Sequence, residues 1–261
     1  MKTLKIAITV MILFFVSNAY ANNITIPDGT ASSSNGWYGT QEDQEVEPGM
    51  LTAQVWDLEG FFLNGSRLTM VGGYNFRNGQ ASGGYTFTSG DIFIDNDGDV
   101  KYGVDMGKPG GEQSVLNVWG YDYAVRLDFD SGKYIVYTIN DSSKLITAYY
   151  TNYNLASNPW KYDSGATDRG EYSGLLYETG LSDAEILSKY GSNLSGGTHN
   201  AVTIDLGFLG SNKDFTAHFT NECGNDNLMG QGQTSVPEPG TLVLLGLGLV
   251  GLAISSKKFR K

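Results

Sequence analysis

The sequence predicts an all-β fold, an antiparallel β-sandwich with one short helix. Three observations lead there. Tyr123, Val125, Leu127 and Phe129 alternate with Ala124, Arg126 and Asp128. That period of two marks a strand covered on one side. Asn64-Gly65, Asn78-Gly79 and Ser131-Gly132 each fall between runs rich in Val, Phe, Tyr or Leu, which is hairpin chemistry. The 35 glycines among 261 residues favour many tight turns over long helices.

Taken in order, the chain starts with a positive Lys2 and Lys5 and an apolar stretch from Ile6 to Val16. Ala19 and Ala21 then stand at the small-residue positions of a cut after Ala21, so residues 1–21 read as a secretory signal peptide. Asn22 to Gly49 is polar and punctuated by Pro27 and Pro48, an extended entry with at most one edge strand. Short β-type runs fill Met50 to Ile139. Tyr134-Ile135-Val136-Tyr137 is apolar at every position, so a second sheet should cover it. Lys144 to Gly180 reads as an irregular aromatic segment crossing a sheet edge, with Trp160, Tyr162, Tyr172 and Tyr177.

One helix is signalled. Ser182 can cap it, Glu185 completes a capping box, Lys189 suits the last turn and Gly191 stops it. So short a helix needs tertiary support, and Leu187 and Tyr190 are expected to dock on the sheet. Strands follow at Ala201–Phe208 and Asp214–Thr220. In the second, Phe215, Ala217 and Phe219 share a half-buried face, opposite Thr216, His218 and Thr220. The turn residues Cys223-Gly224-Asn225-Asp226-Asn227 should leave the sheet at once, with Gln231 to Ser235 as a tether.

Residues 22–235 form the exported domain and carry 27 acids against 11 bases, a net charge of about −16. Such a surface repels nucleic acid and attracts divalent cations, so no nucleic-acid partner is expected. Cys223 is the single cysteine, so no intrachain disulfide forms on the oxidising export route.

The chain ends on Val236-Pro237-Glu238-Pro239, an uncharged apolar run from Gly240 to Ile254, and the basic tip Lys257-Lys258-Phe259-Arg260-Lys261. The run reaches only part of the way across a bilayer core of about 30 Å. Its basic tip stays cytoplasmic by the positive-inside rule. Motif, apolar run and tip in this order resemble the PEP-CTERM sorting signal, over residues 236–261. The resemblance implies a short transmembrane segment that holds the protein at the inner membrane. An exosortase, a membrane cysteine transpeptidase, then processes it near Val236–Pro239 and it reaches the cell surface or the extracellular space. Two further stretches, Asp214 to Gly230 and the GDIFIDNDGD run from Gly90, are similar to segments of many PEP-CTERM exported domains. That likeness implies no settled activity.

Several constellations offer chemistry. Asp95, Asp97 and Asp99 alternate around Asn96 and Gly98, flanked by Asp91 and Asp105. A hard cation such as Ca²⁺ wants several such oxygens. The EF-hand pattern fails beyond them, with Val100 at the sixth place and Met106 at the twelfth. An acidic hairpin turn accounts for the same residues. His199 and His218 could join Asp205 or Glu222 only on paper, since no metal-ligand spacing links them. Asp57 with Glu59, or Glu171 with Glu178, are the paired carboxylates that a glycoside hydrolase would need. No GxSxG, phosphate-binding glycine loop or CxxC is present. The expected function is therefore a non-catalytic surface or matrix protein. Its alternatives are a carbohydrate-binding module that engages exopolysaccharide through Trp37, Trp56, Trp119 or Trp160, and a secreted hydrolase. Exposure of those tryptophans separates module from structural protein.

Overall fold

A computed structural model describes residues 21–26, 53–101, 111–149 and 157–235. Residues 1–20 of the signal peptide, Trp37, Asp105, Met106 and the tail from Val236 lie outside them. Sixteen strands are described: β1 (Asn22–Asn23), β2 (Leu58–Asn64), β3 (Arg67–Gly72), β4 (Gln80–Ser82), β5 (Tyr85–Phe87), β6 (Ile92–Asp95), β7 (Ser114–Leu116) and β8 (Tyr123–Asp128). They continue with β9 (Lys133–Thr138), β10 (Lys144–Ile146), β11 (Lys161–Ser164), β12 (Thr167–Ser173), β13 (Leu176–Leu181), β14 (His199–Asp205), β15 (Asp214–Thr220) and β16 (Asn227–Gln233). Helix α1 (Asp183–Tyr190) separates β13 from β14 and is the one α-helix among the described residues.

Two large antiparallel sheets run β1-β2-β3-β14-β13 and β12-β9-β8-β6-β15-β16. Their inner faces share one core: Phe61, Leu63, Leu68, Met70, Val202 and Ile204 meet Ile92, Ile94, Val125, Val136, Phe215 and Phe219. Each sheet is also covered outside. The three-stranded sheet β11-β10-β7 lies over the six-stranded one, packing Val115, Trp119, Leu145 and Tyr162 on Phe93 and Ala124. Helix α1 packs Ile186 over Phe62, Val71 and Ala201 on the other side. Double coverage explains why neighbours of opposite direction, Phe61 with Phe62 and Phe93 with Ile94, are all fully buried.

The local patterns hold where the sequence is most regular. β8 and β9 pair from Tyr123↔Thr138 to Asp128↔Lys133 around Ser131-Gly132, and β2 and β3 pair across Gly65. Asn78-Gly79 instead leads into β4, and the β4–β5 hairpin turns at Gly83-Gly84. Helix α1 has its Ser182 cap, the full capping box with Glu185, and Gly191 in the left-handed conformation. Its docking residues are Ile186 and Tyr190, whose ring lies 5.1 Å from that of Phe62, while Leu187 faces water. Positions i and i+4 share a face, and Leu187 falls outside that stripe.

Three further expectations are overturned. The described part of 144–180 is not irregular: it supplies β10, β11, β12 and most of β13. β12 and β13 are sheet edges with mostly exposed, polar residues, which hides the period of two. β15 is not half-buried: it sits between β6 and β16, and only Asp214 is exposed. Gln231 to Gln233 is no tether, because the chain reverses after Thr220 and pairs back as β16 along all of β15. Glycine conceals that strand. A Cβ on Gly230 would stand 3.0 Å from the Phe61 ring and one on Gly232 3.0 Å from Leu63, so glycine lets β16 cross β2 closely without displacing them.

Candidate functional site

Among the described residues, the acidic loop after β6 is where three metal-capable side chains come together. β6 delivers Asp95 at its end, where Oδ1 accepts the amides of Asp97 (3.2 Å) and Gly98 (3.0 Å). Asp97 Oδ1 in turn accepts the Asp99 amide. These side chains bend the backbone as turn-forming aspartates do, with Gly98 at φ +87°. One carboxylate oxygen from each of Asp95, Asp97 and Asp99 lies within 4.8 Å of the other two. The predicted trio is therefore brought together, with Asp95 buried and the other two exposed.

A fourth carboxylate joins from far along the chain. Ile94 pairs with Tyr123, and the Asp122 amide donates to the Ile94 carbonyl at 2.9 Å, so Asp122 stands beside the loop. Its Oδ2 accepts the Asn96 amide at 2.8 Å. Burial first, then the charges of Asp97, Asp95 and Asp99, raise the Asp122 carboxyl above its ordinary pKa, against the Asn96 amide that favours its charged form. Asp95 is raised as well, by burial first and then by Asp97, against the two amides that favour its charged form. Only the β6–β8 pairing could have revealed Asp122. The flank Asp91, by contrast, points elsewhere: it takes the Tyr162 amide at 2.8 Å and the Arg126 guanidinium at 3.4 Å.

The two histidines are far apart in role. His199 is enclosed at the start of β14, with Nδ1 2.6 Å from Glu59 Oε2 and Nε2 3.0 Å from Asp183 Oδ1. Burial alone would lower its pKa, but the hydrogen bond and charge of Glu59, then those of Asp183, raise it to about 9. This charged clamp ties α1 to β2 and β14. His218 is fully buried in the other sheet. It stacks on Tyr121 and bonds the Pro159 carbonyl at 3.0 Å, and burial lowers its pKa to about 4. Glu222 holds Thr88 and Tyr85. The paper metal site is not assembled.

The carboxylate pairs are engaged too. Glu59 belongs to the clamp, Asp57 is buried, and Glu171 and Glu178 form surface ion pairs with Lys133 and Lys189. Cys223 is buried with its Sγ 2.8 Å from both Asn221 Oδ1 and Asn225 Oδ1, and burial pushes the thiol up to about 12. Such a thiol is inert at neutral pH. Trp56, Trp119 and Trp160 are all buried.

The fold defines an antiparallel β-domain of two large sheets, and the chain's end defines how it travels. Residues 235–258 match the PEP-CTERM protein-sorting motif, the signal of an exosortase substrate. In general such a signal implies export, transient membrane anchoring and processing by an exosortase. No curated protein and no solved structure matches the chain.

Proposed function

We propose that the exported domain is a non-catalytic component of the cell surface or extracellular matrix, released from the inner membrane by exosortase processing at Val236–Pro239. The burial of Trp56, Trp119 and Trp160 carries this reading. Sugar-stacking platforms need an exposed aromatic face, and these three faces are spent on the core and its coverings. Of the paired carboxylates a hydrolase would need, Glu59 is committed to the His199 clamp and Glu171 and Glu178 to surface ion pairs.

A second reading, exopolysaccharide binding, has one observation in its favour. Tyr85 and Tyr149 are about half exposed and flank Phe87, with ring centroids 5.0 and 5.9 Å from it. Electrophoresis of the processed protein through gels cast with and without the host's exopolysaccharide separates the two. Unchanged mobility is expected. Retardation that Tyr85→Ala abolishes would replace the structural reading with the binding one.

A further inference from the structure

β6 has a buried aspartate at each end, and their surroundings differ. Asp91, just before the strand, is 3% exposed and has the Arg126 guanidinium and the Tyr162 amide as partners. Asp95, its last residue, is 1% exposed. Its Oδ1 accepts two amides, but Oδ2 is enclosed by protein and meets no donor. The groups that converge on this carboxylate are acids. Asp97 and Asp99 each bring an oxygen within 4.8 Å, and Asp122 adds its field from the head of β8. Among the described residues none of these four makes an ion pair.

Enclosing a carboxylate is costly unless an opposite charge or a full set of donors compensates it. Asp91 has that compensation within the protein and Asp95 does not. The geometry points to a bound Ca²⁺ ion, held directly by Asp95, Asp97 and Asp99. Asp95, whose Oδ2 is left without a donor, is its buried anchor, and Asp122 acts from the outer shell, where its Oδ2 is already held by the Asn96 amide. The donors are all hard oxygens, with neither His nor Cys among them, which excludes the zinc-type sites. Asp97 and Asp99 face solvent, so water completes the ion's shell; Ca²⁺ accepts the irregular geometry of such a loop, whereas Mg²⁺ demands a near-ideal octahedron. Gly120 braces the site. A Cβ there would meet Asp99 Oδ1 at 2.3 Å, and the Trp119 carbonyl accepts the Lys101 amide at 2.7 Å. This site is independent of the sorting reading and of any glycan.

Isothermal titration of the full-length protein in detergent, stripped with chelator, tests it with CaCl₂ and MgCl₂ in parallel. One Ca²⁺ per chain is expected, with a dissociation constant of about 10⁻⁴ to 10⁻³ M, the range of extracellular modules, and weaker Mg²⁺ binding. Asp95→Asn, which keeps the shape and the Oδ1 acceptor, should weaken Ca²⁺ at least tenfold, and Asp122→Asn less. Should Asp95→Asn fail to fold, the exposed Asp97→Asn must weaken binding instead. No binding to the wild type at 10 mM, or unchanged binding in these variants, overturns the proposal.

Discussion

The His199 clamp makes stability depend on pH in a way that can be worked out in advance. With an acceptor carboxylate at each ring nitrogen, only the imidazolium can donate to both. The folded-state pKa is about 9 against an ordinary 6.5. A raised pKa contributes stability that is fully present below the unfolded value and is lost as pH climbs through the folded one. The window is therefore pH 6.5 to about 9. At about 1.4 kcal/mol per unit the shift corresponds to roughly 3 kcal/mol. Asp183 is half exposed, so solvent screening reduces this to about 2–3 kcal/mol. That is a large part of a domain's 5 to 15 kcal/mol or so.

Urea unfolding of the wild type at half-unit steps from pH 5.5 to 9.5 should show that loss, beginning near 6.5. His199→Gln keeps one hydrogen bond but no titrating charge, so its profile across the same window should be flat at a lower level. A flat wild-type profile, or an equal step in the variant, would refute the clamp. Should the variant not fold, the imidazole resonance of His199 in the wild type decides the matter. Titration below pH 7 would mean that Glu59 and Asp183 do not outweigh burial.

His218 has the opposite sign. Its folded pKa of about 4 lies below the ordinary 6.5, so it costs stability as pH falls from 6.5 toward 4. His218→Gln should retain stability in that acid window, checked by melting at pH 4.5 and pH 7. Phe219 is fully buried in β15 and meets Phe76 edge to face at 5.6 Å. Phe219→Ala should cost about 3–5 kcal/mol by urea unfolding, and a loss under 1 kcal/mol would mean that the strand is peripheral.

What the sequence displays and what it hides follow from the range of the interactions. β8, β9 and the cap, box and stop of α1 are set by residues within a few positions of one another, and each is where local pattern placed it. β12 and β13 border water on their sheets' outer edges, so no burial constraint imprints a period of two on them. The acidic loop shows both cases. Asp95, Asp97 and Asp99 are legible because alternation itself brings them together. Asp122 is not, since only the antiparallel pairing of Ile94 with Tyr123 brings it alongside.

The same reasoning accounts for the misread end of the domain. Asn227 to Gln233 has turn-like composition, and as an isolated segment it would leave the sheet. It is a strand because β15 offers it a full ladder from Asp214↔Gln233 to Thr220↔Asn227. The Thr25–Gly230 bridge and the close approach of Phe61 then make glycine the fitting residue there. The glycines that read locally as flexibility are, in the assembled sheets, a requirement of close packing. β16 ends at Gln233, and the sorting motif begins two residues later, at residue 235, so it starts within two residues of a packed sheet.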